Sequence, residues 1–473
     1  MRFLARDLLA PLDGTLVVPD ASAAPSGDPG AVVFDGVSID SRAIAPGNLF
    51  VPIVAERDGH DFVAGAVGSG AGGYLVAHHV EDSALRQQGG VPATVPAIAV
   101  DDTEAALTAI GRLARSRLSG PVIGVTGSVG KTSMKDLIEA AVSGTRRAHA
   151  SERSFNNELG VPLTLANAPD DTEVAVIEMG ARGKGHIATL CAVAQPTIGV
   201  VTAVALAHSE LFGSLQGVAE AKGELVEALD ADGIAVLNVD DPNVAAMAAK
   251  AAGRVVTYGT GPVSPQAEFR AEHIELDELL QPSFRLVTPD GEFDVQLAVA
   301  GAHMAHNAAG AVAASWAAGV AVADAVAGLG AVALSPWRME VVRTTNGLVV
   351  INDAYNANPT SMRAALTALI EVPAHDRFAV VGAMAELGDE GPGEHRAVAS
   401  EAAAAGVTVI ALNALDYGRD AVHVTSRDEA RAVLGDLGEG SAVLVKGSRV
   451  AGLEVLAGQL IRDHSTAPVG DPA

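Results

Sequence analysis

The segment GVTGSVGKT, Gly124 to Thr132, lies between an apolar run and the helical stretch KTSMKDLIEAA. Glycines there let backbone N–H groups converge on phosphate oxygens, and the start of a helix adds a favourable dipole. Gly127, Ser128, Val129, Gly130, Lys131, Thr132 and Ser133 would then form an ATP-binding loop. Lys131 can reach the β- and γ-phosphates, and the Thr132 hydroxyl can ligate Mg²⁺. The strict phosphate-loop pattern wants Gly where this chain has Val125. The plainer alternative is a Gly-rich turn joining a strand to a helix.

Other residue types could do chemistry. Glu178 closes the run VAVIEM, and a carboxylate at the C-terminal edge of a parallel strand sits where open α/β sheets place ligands. It can serve a metal or be a solvated strand end. His208, within TAVALAHSELFG, can bind metal or cap a loop. Lys222 lies in GVAEAKGELVEAL, where its helical neighbours Val218, Ala219, Leu225 and Val226 are all apolar. Glu220, Glu224 and Glu227 fall on other faces. An ammonium in an apolar stripe must snorkel, pair with a charge or be chemically changed. SFNNELGVP and YNANPTS are rich in Asn, whose amides suit nucleotide or substrate oxygens but also form Asx turns.

Positioning these residues takes three blocks, at 1–118, 119–333 and 334–473. The first has short strand-like runs, NLFVPIV and GGYLVAH, and ends in a helical pattern from Thr103 to Leu118 before Ser119-Gly120-Pro121. The opening MRFLARDLLAPLDG has apolar residues at helical spacing. The second block alternates PVIGV, VAVIEM, TIGVVTAV, GIAVLNV and RVVTYG with helical stretches, the rhythm of a parallel sheet with crossovers. It then turns to period two around a PDG hairpin, followed by an Ala-rich helix from His303 to Gly319. The third alternates GLVVIND, RFAVVGA, VTVIALN and AVLVKG with helices from Ser361, Glu394 and Asp428 and a last helix, which reads as a doubly wound domain. The expected fold is α/β: a small N-terminal α/β domain, a central phosphate-loop ATPase-like parallel sheet and a C-terminal Rossmann-like domain. The tail after His464 reads as disordered.

Bulk properties narrow the function. With 49% hydrophobic and 19% charged residues the chain is globular. A net charge of −26 argues against a sequence-independent grip on nucleic acid or an anionic membrane. The single cysteine, Cys191, makes no internal disulfide, which suits a reducing compartment. No stretch is long and apolar enough to span a membrane, so a cytoplasmic protein is expected.

Ordered segments carry a more specific resemblance: GVTGSVGKTSMKD, NNELGVPLTL, VIEMGARGKGHI, VTAVALAHSELFGS, AEAKGEL, LNVDD, GAHMAHNAAGAVAA, RMEVV, NDAYNANPTSM, GAMAELGDEGPGEH and VLVKGSR. Together they resemble the Mur ligase family, the amide-forming enzymes of peptidoglycan precursor synthesis. YNANP and GAMAELG look like the MurF-type branch, which adds D-alanyl-D-alanine to UDP-N-acetylmuramoyl-tripeptide through an acyl phosphate, using ATP and Mg²⁺. DSRAIAPGNLFVPI and RDGHDFV look like that branch's uridine-nucleotide segments.

The resemblance implies roles. Lys131 and Thr132 would hold ATP phosphates and Mg²⁺, Glu178 and His208 would serve the metals, and Lys222 would be carbamylated to supply a further carboxylate. Asn157 would lie near the γ-phosphate, Asn307 near the adenine, Arg338 against ATP, Asp353 at the ribose, and Tyr355 and Asn356 near the nucleotide. Ser41 and Arg42 would belong to the uridine-nucleotide pocket. The chain departs from the branch at Asn352, where an acid is usual, and at His186, where Glu is frequent. Folylpolyglutamate synthetases and poly-amino-acid ligases share the ATPase core but would lack the first block. A monomer acting on the two substrates, without nucleic acid or membrane insertion, is expected.

Overall fold

Short, fully apolar runs bounded by glycine and aspartate become strands, and the stretches between them become helices. The computed structural model describes residues 1–18, 28–152, 154–205, 212–261, 263–385 and 387–465. The chain divides into two compact units, one of Met1–Gly124, Arg147–Met179 and Ala188–Thr197, the other of Val125–Arg146, Gly180–Ile187 and Ile198–Ala473.

The first unit opens with β1 (Arg2–Leu4), β2 (Thr15–Val17), β3 (Val33–Asp35), β4 (Val37–Ser38), β5 (Leu49–Phe50), β6 (Gly73–Ala77) and β7 (Ala97–Val100). Only Ala5–Leu12 of the opening segment is helical; Arg2–Leu4 pairs antiparallel with β3, burying Phe3. The sheet order is β2-β7-β6-β5-β4, parallel except at β2. NLFVPIV supplies just two strand residues, because Pro52 has no N–H to donate to a ladder. Phe50, Val63, Tyr74, Val76 and Ala97 form this sheet's core. Asp102 caps the helix Thr103–Arg117, accepting from the Glu104 and Ala105 N–H groups. The chain passes between units within β8 (Val122–Thr126), and the first unit ends its strands with the parallel pair β9 (Ala148–Ala150) and β10 (Val174–Glu178).

In the second unit β11 (Ile198–Val201), β12 (Ile234–Asn238), β13 (Arg254–Thr260), β14 (Phe269–Leu276), β15 (Pro282–Thr288) and β16 (Gly291–Gln296) lie side by side in that order. They are parallel as far as β14 and antiparallel beyond it, with the expected hairpin closing at Thr288 and Gly291. The almost wholly apolar helix His303–Ala317 packs on these strands and on the helix Lys131–Ser143.

A second sheet follows, built from β17 (Glu340–Arg343), β18 (Val349–Asn352), β19 (Asp376–Val381), β20 (Thr408–Leu412), β21 (Ala421–Val424) and β22 (Ser441–Lys446), in the order β17-β18-β22-β19-β20-β21. All but β17 run parallel. Alternate residues go to opposite faces: Ile351 and Leu444 join the helices Pro359–Glu371 and Gly391–Ala404, whereas Val350, Val443 and Val445 join Arg427–Leu434 and Glu454–Ser465. That is the doubly wound arrangement. The helix expected from Ser361 starts earlier, because Asn358 forms a capping box with Ser361. The tail expected to be disordered, from 466 on, lies outside the described residues. Among the described residues no helix is long and apolar enough to cross a membrane.

Candidate active site

The buried strand β8 delivers the chain to Gly127, at φ +148°, and Gly130, at φ +83°. A Cβ at Gly127 would sit 2.0 Å from the Thr202 hydroxyl, so only glycine fits. That hydroxyl donates to the Val129 carbonyl at 2.6 Å, and the Ser128 N–H donates to the Ala203 carbonyl at 2.7 Å. Asn238 holds Thr202 in turn, its amide donating to the Thr202 carbonyl at 2.6 Å. Val125 replaces the usual glycine without strain because it is still inside the strand. The helix Lys131–Ser143 starts on Gly130 with no side-chain cap, so its first N–H groups face a site suited to an anion. Lys131 folds over the loop, its Nζ donating to the Gly127 carbonyl at 2.8 Å. Thr132 and Ser133 are buried.

Lys222 lies in the helix Leu215–Glu227, capped by Ser214, and is only 3% exposed. That rules out snorkelling. Burial pushes its amine down to about 7; the charge of Lys131 acts in the same sense and Glu224 opposes it. The Phe212 ring centroid lies 5.8 Å from Nζ. Glu220 and Glu227 face outward to Lys184 and Lys250, at 2.9 and 2.7 Å. Glu224 does not: it is buried and accepts the Gly185 N–H at 2.6 Å.

Arg338 reaches the same loop. Its guanidinium donates to the Thr132 hydroxyl at 2.8 Å and stacks 4.2 Å from the Tyr355 ring centroid, while its Nε is buried without a hydrogen-bond acceptor. An orphaned N–H beside a phosphate-type loop fits an anionic ligand. Asn307, expected near the adenine, has its amide nitrogen 3.6 Å from the Cβ position of Gly130, at the phosphate end. Asp353 has both oxygens engaged, accepting from Met339 N–H at 3.1 Å and Lys446 Nζ at 2.5 Å. Asn356 is exposed, and its carbonyl also accepts from Lys446. Asn352 donates to Glu340 at 2.8 Å, so an amide turns what would be carboxylate repulsion into a bond.

In the first unit, Glu178 is 1% exposed, which removes the solvated strand-end reading. Its Oε1 accepts from the Asn156 amide at 2.7 Å, and its N–H donates to the Ser151 hydroxyl at 3.1 Å. The neighbouring Asn157 instead accepts the Gly160 N–H at 2.9 Å, an ordinary turn role. Arg42 makes a two-pronged pair with Asp40, at 2.9 and 2.8 Å, which holds that carboxyl down at about 2. Ser41 is half-buried beside it. His208 lies outside the described residues. Thr202 holds the phosphate loop, Asn156 holds Glu178 and Lys446 holds Asp353, and none of the three was singled out individually from the sequence. Each nevertheless lies in a segment quoted there: Thr202 in VTAVALAHSELFGS, Asn156 in NNELGVPLTL and Lys446 in VLVKGSR.

Within the second unit, a buried threonine hydroxyl at the loop and a buried, depressed amine, once it carries a carboxylate, are oxygen donors of the kind a hard divalent cation takes. The family profile described as Mur ligase middle domain matches residues 125–315, and that described as Mur ligase, glutamate ligase domain matches 337–449. The UDP-N-acetylmuramoyl-tripeptide–D-alanyl-D-alanine ligase of Mycobacterium tuberculosis is 38% identical, over 92% of this chain and 93% of its own. The crystal structure of MurF from Acinetobacter baumannii superposes with a TM-score of 0.83 at 27% identity, covering 98% of this chain and 99% of that one. MurF ligase from Thermotoga maritima in complex with ADP shares the fold, with a TM-score of 0.75 at 24% identity over 91% and 97% of the two chains. With the phosphate loop, the buried lysine and the arginine assembled as above, this chain belongs to the Mur ligase family, MurF type.

Proposed function

We propose that this chain is an ATP-dependent carbon–nitrogen ligase that joins D-alanyl-D-alanine to UDP-N-acetylmuramoyl-tripeptide in peptidoglycan precursor synthesis. The observation that carries this reading is the phosphate loop at Gly127–Thr132, with a buried, depressed Lys222 amine within its electrostatic reach. The names and near-complete coverage of the relatives supply the substrates.

The tripeptide's terminal carboxylate oxygen attacks the γ-phosphorus of ATP, ADP leaves, and an acyl phosphate results. The dipeptide's free amine then attacks the acyl carbon. The tetrahedral adduct loses phosphate, and the nitrogen loses its proton, leaving the amide. Lys131 and the helix N-terminus offset charge on the phosphates, the kind of preorganised field that dominates such catalysis. Arg338 adds charge from beyond the middle domain, at the Thr132 hydroxyl. Mg²⁺, held by Thr132, Glu178, His208 and carbamylated Lys222, would neutralise phosphate oxygens. The Lys222 amine attacks CO₂ and sheds a proton, giving the carbamate. Asn157, Asn307, Asp353, Tyr355 and Asn356 border the nucleotide, and Ser41 and Arg42 bind the uridine nucleotide. In this reading 1–118 is the uridine-substrate domain, 119–333 the ATP domain and 334–473 the ligase domain, in a cytoplasmic monomer.

An acceptor screen tests the specificity. With the tripeptide nucleotide and ATP·Mg²⁺ present, ADP release should follow D-alanyl-D-alanine and not L-glutamate or free D-alanine. Release driven by L-glutamate instead would overturn the acceptor assignment.

A further inference from the structure

Arg338 is flanked by two non-glycine residues in the left-handed region, Trp337 at φ +63° and Met339 at φ +49°. Such backbone persists only where its surroundings over-determine it. Here the Trp337 N–H donates to Glu340 at 2.9 Å, and the Trp337 carbonyl accepts the Tyr355 N–H at 3.2 Å. The Met339 N–H donates to Asp353 Oδ1 at 3.1 Å. Asp353 Oδ2 accepts from Lys446 Nζ at 2.5 Å, and the same ammonium donates to the Asn356 carbonyl at 2.9 Å. Lys446 ends β22 and is 1% exposed. A buried ion pair is no cheap source of stability, since apolar residues of like volume often serve as well. Its worth here is geometric: it fixes the carboxylate that fixes the left-handed segment.

We propose that Lys446 is a positioning residue which, through Asp353 and Met339, aims the Arg338 guanidinium at the phosphate loop. This rests on the ATP-dependent reading above. Lys446 acts on the arginine, so removing it should matter only while the arginine is there.

The test is a double-mutant cycle of Lys446→Met and Arg338→Ala, read by ATP·Mg²⁺ affinity and by the Michaelis constants for ATP and D-alanyl-D-alanine. A Trp316→Phe background leaves Trp337 as the sole tryptophan of the two in the chain. Lys446→Met should weaken ATP binding about tenfold, the scale of a small misplacement of a charged group. The dipeptide constant should stay unchanged and Trp337 emission should shift. The double variant should bind ATP no worse than Arg338→Ala alone. Losses that multiply, or Trp337 emission like that of the parent, would overturn the proposal. If Lys446→Met does not unfold cooperatively, Lys446→Gln, which keeps a donor, takes its place in the cycle; wild-type ATP binding by that variant would also overturn it. Failure of the parent protein to release ADP would count against the ligase reading, while the affinity and emission arms would still judge Lys446.

Discussion

Arg338 donates to the Thr132 hydroxyl at 2.8 Å across 206 residues of sequence. The threonine belongs to the phosphate loop and the arginine to the start of the C-terminal ligase sequence, so this bond joins the two halves of the nucleotide chemistry. Asp136, one turn further along the same helix, accepts the Ser335 N–H at 2.7 Å and the Ser335 hydroxyl at 3.1 Å. The segment carrying Arg338 is therefore tied to the phosphate-loop helix just before the arginine.

Lys222→Ala should lower turnover by at least about 10²-fold, the scale of losing a preorganised electrostatic contact. Added bicarbonate should not rescue it, whereas short-chain carboxylic acids should do so in part. Steady-state ADP release measures this, and near-normal turnover would remove the carbamate role.

The Lys222 amine titrates near 7 rather than 10.5 because burial and Lys131 disfavour its charge. The folded state then binds fewer protons than the unfolded state between those values, so ligand-free protein gains stability as pH rises through that window. Carbamate formation needs the neutral amine. With ¹³C-bicarbonate, a carbamate resonance should grow from about pH 6 to about pH 8 and be missing from Lys222→Ala. No such resonance at the upper pH with Mg²⁺ present would contradict this.

Gly127→Ala forces a side chain into left-handed backbone and against Thr202. A cost of roughly 1–3 kcal/mol is expected from the backbone alone. Thermal unfolding should register it, and ATP should no longer stabilise the variant.

Asn156→Ala releases the Glu178 carboxylate from its amide partner. Loss of such a supporting contact typically lowers metal affinity about 10–100-fold. A Mg²⁺ titration of ADP release should show a higher requirement at little cost in folding.

Asp136→Ala strands the buried Lys135 ammonium, its ion-pair partner, and frees Ser335. Destabilisation of about 3–5 kcal/mol is expected. Chemical denaturation measures it.

The parallel strands were legible because a strand buried on both faces is apolar along most of its length, as VAVI of β10 and AVLV of β22 are. Lys222 was legible as an ammonium with no polar neighbours on its stripe. The choice between Asn156 and Asn157 was not, since adjacent identical residues differ only in where the turn points them. Lys446 reads locally as an exposed strand end, because its partner Asp353 lies 93 residues earlier. Buried Glu224 was missed for a similar reason: the Gly185 N–H that donates to its carboxylate arrives from another segment. Contacts between distant segments set these roles, and periodicity carries no information about them.

The most direct test is ADP release by the purified protein with ATP, Mg²⁺ and UDP-N-acetylmuramoyl-tripeptide, with and without D-alanyl-D-alanine. Release that requires both substrates, matched mole for mole by the pentapeptide nucleotide, is the predicted result. No release with both present, or release with no amide product, would contradict the account.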